Sequence, residues 1–321
     1  MIEGSDSERH RRLDTTQKTM RAVRYHEHGS AEVLKLEQVP VPGPKEDEVL
    51  VRVRAAGVNP VDWKQRSGSN PNLPATPGID LSGVVEETGP GVTGFELGQE
   101  VWGTGLGTYA EYAVAPSSSL VPKLPTMSFE EGASIGVGVR TAWAGLFDSA
   151  DLQKGQTILV QGAAGGVGMW GVQLAKWMDA RVIATASTRN IDFVNSLGAD
   201  QAVDYTTTLV DTVAREVDVV FDTVGGEVQE QSWQTLKRGG ILVTIVGAPD
   251  QEQADKYGVK GVRVGRASNS VEIFNTVNAL FTSGKAKPLV QKVFSLEEAK
   301  QAHELSETTH GRGRIVLAVS G

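Results

Sequence analysis

The stretch Ile158-Leu-Val-Gln-Gly-Ala-Ala-Gly-Gly-Val-Gly168 constrains this chain most, because an apolar run breaks into small residues and then resumes as a helix-competent segment. Ile158, Leu159 and Val160 read as a buried parallel strand. Gly162, Ala163, Ala164, Gly165, Gly166, Val167 and Gly168 read as a tight turn, and residues 169–177 as the helix after it. Glycine lets the backbone approach a ligand closely, and the free amides at a helix N-terminus favour an anion such as a dinucleotide pyrophosphate. Taken alone the string reads equally well as a structural turn, since turns and close helix packing also select glycine. The surroundings favour the first reading. Apolar strands at 181–186, 197–204, 217–221 and 240–246 alternate with helical stretches, the pattern of an α/β, doubly wound parallel sheet of the Rossmann type.

Upstream the pattern differs. Residues 21–25, 33–39, 48–58, 81–87, 100–103 and 109–115 are short strands between Gly and Pro turns, which describe a barrel-like β unit. Ser128 and Glu131 have capping-box spacing, and 141–147 reads as a helix leading into the nucleotide domain. Beyond Val246 the pattern loosens, and 250–269 reads as a loop crossing the cleft. Helices are expected at 271–281 and 295–306, the second with Ser295 and Glu298 as a capping box, and a last strand at 314–319 rejoins the β unit. The expected domains are a leader at 1–19, a β unit of 20–142 plus 285–321, and a Rossmann domain at 143–284.

Composition removes several functions. A net charge of −8 disfavours nonspecific binding to nucleic acid or to an anionic membrane. There is no cysteine, so disulfides, thiol catalysis and thiolate metal sites are excluded. Of five histidines only His26 and His28 are close, and beside Gly29 they read as a solvated turn; no metal site is expected. No apolar run approaches the length of about 20 that spans a bilayer. Residues 1–19 mix both charges without an apolar core, so a disordered leader and a cytoplasmic location are the default expectations.

The chain resembles the medium-chain dehydrogenase/reductase superfamily, and within it the zinc-free, zeta-crystallin-like quinone oxidoreductases. The resemblance rests on Ala55-Ala-Gly-Val-Asn-Pro-Val-Asp-Trp-Lys64, Pro77-Gly-Ile-Asp-Leu-Ser-Gly-Val-Val85, Arg140-Thr-Ala-Trp143, the glycine loop, Leu197-Gly-Ala-Asp200 and His310-Gly-Arg-Gly-Arg-Ile-Val316. It implies a GroES-like catalytic barrel joined to the Rossmann domain, and a homodimer paired through edge strands, 240–246 or its neighbours. In zinc-dependent members a cysteine stands at Asn59 and a histidine-glutamate pair at Ile79 and Asp80. Here the cysteine and histidine are absent, so the resemblance implies hydride transfer to a quinone or an α,β-unsaturated carbonyl, which needs no Lewis acid.

Cofactor choice follows from the second strand. NAD-selective sites place a carboxylate about 20 residues past the glycine loop. That position is Ser187, and Arg189 follows it, a combination suited to the 2′-phosphate of NADPH. A helix cap for Ser187 and an exposed helix-start cation for Arg189 are the bland alternatives. By resemblance Tyr205 lies near the adenine phosphate, and Thr141, at a helix start, touches the nicotinamide side. Thr223, Val224, Val246 and Gly247 fall at strand C-terminal ends, where open α/β sheets bind ligands.

The resemblance also places Asn59, Asp62, Trp63 and Lys64 near the nicotinamide face. Asn59 would hold the ribose or orient the substrate, and Lys64 would stabilise an oxyanion. Asp62 reads as readily as an internal cap. Trp63 replaces the tyrosine of many quinone reductases, which leaves water as a proton source. The expected function is an NADPH-dependent reductase of quinones or enones. An enoyl-thioester reductase and a non-catalytic NADPH-binding protein are the alternatives.

Overall fold

The computed structural model describes residues 18–267, 269–308 and 311–319. Strands β1 (Thr19–Arg24) and β2 (Lys35–Pro40) pair antiparallel as a separate ribbon. Residues 1–17 of the leader expected at 1–19 thus lie outside the described residues, while Lys18, which donates to Tyr112 OH at 3.1 Å, and Thr19, which opens β1, belong to the β unit. The barrel-like sheet is built on β3 (Glu48–Val58), joined by β4 (Asp80–Thr88), β5 (Glu100–Thr104), β6 (Tyr112–Pro116), β7 (Leu120–Pro122), β14 (Val290–Ser295) and β15 (Arg314–Ala318). Strand β3 is long enough to divide its partners along one edge. Residues 48–52 pair with β6, and 55–58 pair with β15, which brings the C-terminal strand into the N-terminal unit.

The nucleotide unit is a parallel sheet of β8 (Thr157–Gln161), β9 (Arg181–Ala186), β10 (Gln201–Asp204), β11 (Val217–Asp222), β12 (Leu236–Thr244) and β13 (Lys260–Arg263), in the order β10-β9-β8-β11-β12-β13. The sheet reverses direction around β8, and ligands of such sheets bind at that crevice, beyond the strand C-termini. Successive side chains of β8 point to opposite faces: Ile158 and Val160 join one apolar cluster and Leu159 another.

Ten helices are described. In the N-terminal half, α1 (Pro60–Lys64), α2 (Phe129–Ala133) and α3 (Gly136–Trp143) precede β8. In the nucleotide half, α4 (Gly168–Trp177), α5 (Ile191–Ser196), α6 (Val210–Val213), α7 (Glu227–Ser232), α8 (Gln251–Tyr257) and α9 (Ser270–Thr282) follow in turn, and α10 (Ala299–Glu307) comes last. Both capping boxes form, at Ser128 with Glu131 and at Ser295 with Glu298. The two units share a core. Trp102 of β5 sits 4.6 Å, centroid to centroid, from Phe274 of α9, and its indole donates to Asn278 Oδ1 at 3.1 Å.

Four expectations are corrected. Residues 250–269 do not form a plain loop, because they contain α8 and β13. Lys260-Gly-Val-Arg263 has a single apolar residue and so no strand period; its backbone pairing with residues 241–244 makes it a strand. The sheet edge is therefore β13, and β12, which includes Gly240, is internal. The helix expected to start at Thr141 begins at Gly136 instead and continues as a π-helical segment over Ala144–Ser149. Finally, Tyr109 precedes β6 and is not part of it.

Candidate active site

The loop after β8 needs its glycines. Gly162 has φ +66°, and a Cβ there would stand 2.6 Å from Thr223 Oγ1. At Gly168, the first residue of α4, a Cβ would reach the Gly162 carbonyl oxygen at 2.2 Å, so α4 can start against β8 only with glycine. A Cβ on Gly166 would meet the Arg314 side chain at 2.7 Å. Gly165 differs: its nearest neighbour would be Gly162 O at 3.3 Å, so its surface is left open. Ala163 and Ala164 are buried, and Val167 is the N-cap of α4. An N-terminal helix turn thus opens on the crevice with nothing larger than a proton on Gly165.

The other residues singled out for the cofactor line the same end of the sheet, on segments that leave successive strands. Ser187 is the N-cap of a short turn at Thr188–Asn190 and accepts from Asn190 Nδ2 at 3.2 Å; Arg189 on that turn is exposed. Tyr205, Val224 and Val246 expose 57%, 46% and 38% of their surfaces, so three apolar groups face solvent around one crevice. Thr223 donates to Gln161 O at 2.7 Å, which holds the loop after β11 to the end of β8. Gly247 closes the turn after β12 at φ +78°. Asp222 at the end of β11 is spent inside its own loop, accepting from Val224 N and Gly225 N at 2.9 Å and from Gln229 Nε2 at 2.8 Å. Asp204 at the end of β10 accepts from the Thr206 amide and hydroxyl at 2.9 and 2.6 Å.

The catalytic candidates fall into two settings. Asn59, the N-cap of α1, is wholly buried; its Nδ2 donates to Asp80 Oδ2 at 3.0 Å and its Oδ1 accepts from Arg314. Arg314 also donates to Asp80 Oδ2 at 2.8 Å, and Val137 N donates to Asp80 Oδ1 at 2.7 Å. Burial pushes the Asp80 carboxyl up while the Arg314 guanidinium works against that rise. Asp62, also wholly buried, accepts from Asn59 N at 2.8 Å and Tyr109 OH at 3.0 Å, while its Oδ1 has no partner among the described residues. Burial lifts it to about 7. Lys64 by contrast is exposed at the end of α1, with its ammonium 5.5 Å from the Trp63 ring centroid.

Behind Asp62 runs a polar chain that the sequence reading missed. Tyr109 OH lies 3.2 Å from His303 Nε2, His303 Nδ1 lies 3.2 Å from Arg66 Nη1, and Arg66 Nη2 donates to Glu307 at 2.6 Å. A guanidinium only donates, so His303 Nδ1 accepts and Nε2 carries the proton toward Tyr109, whose hydroxyl then points at Asp62. Burial, aided by Arg66, depresses His303 to about 3 and keeps it neutral. The available signals were an arginine inside a helix (Arg66), one opening an apolar strand (Arg314) and a histidine among the apolar residues of α10.

Beside the loop lies a cavity of about 590 Å³, lined by Ile79, Thr104, Leu106, Val137, Arg140, Thr141 and Arg266 among others. Thr141 is inside α3, donating to Val137 O at 2.7 Å. One turn earlier, Gly138 abuts the glycine loop, since a Cβ there would meet Gly166 O at 2.6 Å. The same helix therefore touches the loop and walls the cavity.

Comparison with known proteins bears on the family and the fold. Residues 45–126 match the family described as alcohol dehydrogenase GroES-like domain, and 197–317 match that described as zinc-binding dehydrogenase. The chain is 36% identical to a 2-methylene-furan-3-one reductase of Solanum lycopersicum, covering 93% of this chain and 79% of the relative. It is 35% identical to an NADPH-dependent alkenal/one oxidoreductase of Arabidopsis thaliana (94% and 80%) and 35% identical to a quinone oxidoreductase of Mus musculus (94% and 98%). Among solved structures, the quinone oxidoreductase of Coxiella burnetii superposes with a TM-score of 0.87 at 34% identity, covering 94% of this chain and all of that one. A mycobacterial protein solved with NADPH gives 0.85 at 28% identity, covering 93% and 100%.

Proposed function

We propose, for a chain that belongs to the quinone oxidoreductase branch of the medium-chain dehydrogenase/reductase superfamily, an NADPH-dependent reduction of quinones or α,β-unsaturated carbonyls that uses no zinc. The carrying observation is the position of α3, which packs Gly138 against the glycine loop and lines the adjoining cavity with Val137, Arg140 and Thr141. A cofactor on the loop and an acceptor in the cavity would be neighbours.

The residues present fit NADPH. Gly165 leaves room for close approach, the α4 N-terminus offers free amides, and β9 runs into Ser187 and Arg189, a hydroxyl and a guanidinium suited to a 2′-phosphate, with the nearby Asp204 carboxylate bonded to Thr206. In this reading Gly162 to Gly168 hold the pyrophosphate, Ser187, Arg189 and Tyr205 the adenosine end, and Thr141, Thr223, Val224, Val246 and Gly247 the nicotinamide end. When bound, NADPH supplies the hydride.

The residues do not fit a catalytic zinc. Ile79 has no donor atom, and Asn59 Oδ1 already accepts from Arg314, a fixed cation where a metal would stand. The chain's contribution is positioning and electrostatics. Asn59 and Asp62 pin the start of α1 through reciprocal capping, and Tyr109 and His303 fix Asp62 from behind. Lys64 presents its charge at the solvent end of that helix, open to an oxyanion arriving from outside. Asp62 is sealed from solvent, so water at the cavity mouth delivers the proton that completes reduction of a C=C bond.

The test is steady-state oxidation of NADPH and NADH with 1,4-benzoquinone, a short 2-alkenal and an enoyl thioester. Turnover of the quinone or the alkenal with NADPH supports the reading, and turnover of the thioester alone moves the chain to the thioester reductases. Tight NADPH binding with no turnover of any acceptor would leave a binding protein.

A further inference from the structure

The cavity beside the glycine loop carries a charge pattern that reduction of a neutral quinone does not need. Arg140 of α3 and Arg266, three residues past β13, both line it, and none of its lining residues is a carboxylate. Arg140 Nε is buried without a hydrogen-bond partner, and the side chain's single described bond is a long one, 3.4 Å from Nη1 to Thr104 Oγ1. Asp80, a carboxylate whose charge reaches Arg140, is already bonded to Arg314, Asn59 and Val137 N. Arg266 forms no described salt bridge. Burial and the like charge of Arg266 hold the Arg140 guanidinium below its usual range, while Asp80 acts the other way. Two like charges converge on one cavity in a chain whose net charge is −8, so the excess is local and oriented. The remaining lining is largely apolar: Ile79, Leu106, Pro116, Val137 and Ala267.

We propose that the physiological acceptor bears a carboxylate, held by Arg140 and Arg266, with its unsaturated carbonyl body against Ile79 and Val137. The inference rests on the enone reductase reading and narrows its substrate class. Guanidinium groups match carboxylates in geometry as well as charge, and in a partly desolvated cavity the pairing discriminates strongly against an uncharged analogue. A neutral acceptor would forgo the charge-assisted contacts that the two guanidinium groups offer.

The experiment compares kcat/KM for 4-oxo-2-pentenoate and its methyl ester with NADPH, in the wild type and in Arg140→Met and Arg266→Met. The ester differs in reactivity as well as charge, so the readout is the acid-to-ester ratio of each variant relative to wild type. We expect that ratio to fall about tenfold or more in each variant, mostly through KM. A ratio unchanged in both variants overturns the inference, as does a loss of NADPH affinity in both that leaves the ratio intact, since the pair would then serve a cofactor phosphate. Ester turnover in the wild type shows that the enone reductase reading stands whichever way the ratio moves. Arg266 is exposed, so its variant is informative even if Arg140→Met folds poorly.

Discussion

Arg314, the first residue of the last strand, donates to Asp80, the first residue of β4, at 2.8 Å in a site where both side chains are almost fully buried. The same guanidinium packs against Gly166 and bonds Asn59, so one side chain ties the C-terminal strand, the α1 cap and the glycine loop together. Removing one partner of a buried pair leaves an uncompensated charge. We expect Arg314→Met to lose about 3–5 kcal/mol of unfolding free energy in urea, and Asp80→Leu combined with Arg314→Met to recover much of that loss. Equal losses in the single and double variants would show that the pair itself contributes nothing.

Asp62 and His303 titrate in opposite senses. Asp62 is raised to about 7, so between about pH 4 and 7 the folded protein holds a proton that the unfolded chain releases, and stability falls as pH rises. His303 is depressed to about 3, so between about pH 6.5 and 3 the unfolded chain takes up a proton that the folded protein refuses, and stability falls as pH falls. The slopes oppose each other over about pH 4 to 6.5. Relative to wild type, Asp62→Asn should steepen the loss of stability toward acid, and His303→Gln should lessen it. Urea midpoints across that range, read as differences from wild type, decide the matter; parallel curves for all three proteins would contradict both assignments.

The glycines of the loop should separate by role. Gly168→Ala places a methyl 2.2 Å from a carbonyl oxygen and is expected to destabilise the fold by about 1–3 kcal/mol as well as weaken NADPH binding. Gly165→Ala meets one close atom, the Gly162 carbonyl oxygen at 3.3 Å, and should lose much less stability than Gly168→Ala, while its Kd for NADPH, followed by fluorescence, rises about tenfold. An unchanged Kd in Gly165→Ala would show that no ligand approaches there.

Arg189→Ala tests cofactor choice. A lost charge-assisted contact to a 2′-phosphate is expected to raise KM for NADPH about tenfold to a hundredfold with little effect on NADH. Equal effects on both cofactors would return Arg189 to the role of a surface cation.

The glycine loop, most strands of both sheets, though not β7 or β14, and the two capping boxes were legible because each is written in local sequence: a period of two, a cap spacing, a residue type that alone permits a turn. The edge strand β13 was not, since Lys260-Gly-Val-Arg263 owes its conformation to the backbone of β12. The resemblance put Thr141 at a helix start, but α3 begins five residues earlier, where Gly136 and Gly138 allow it to lie against Asp80 and the loop.

The sequence by itself determined that the chain is a Rossmann domain joined to a barrel-like β unit, that its glycine loop lies at residues 162–168, and that it has no thiolate ligand for a metal. Only the tertiary structure decided which polar groups meet. Asn59, Asp80 and Arg314 come from three strands or caps, Tyr109 and His303 are 194 residues apart, and Arg140 faces a cavity it shares with Arg266. Local periodicity reports which face of an element is buried. The partner of a buried charge is set by how distant segments pack, and by the cost of leaving that charge unpaired.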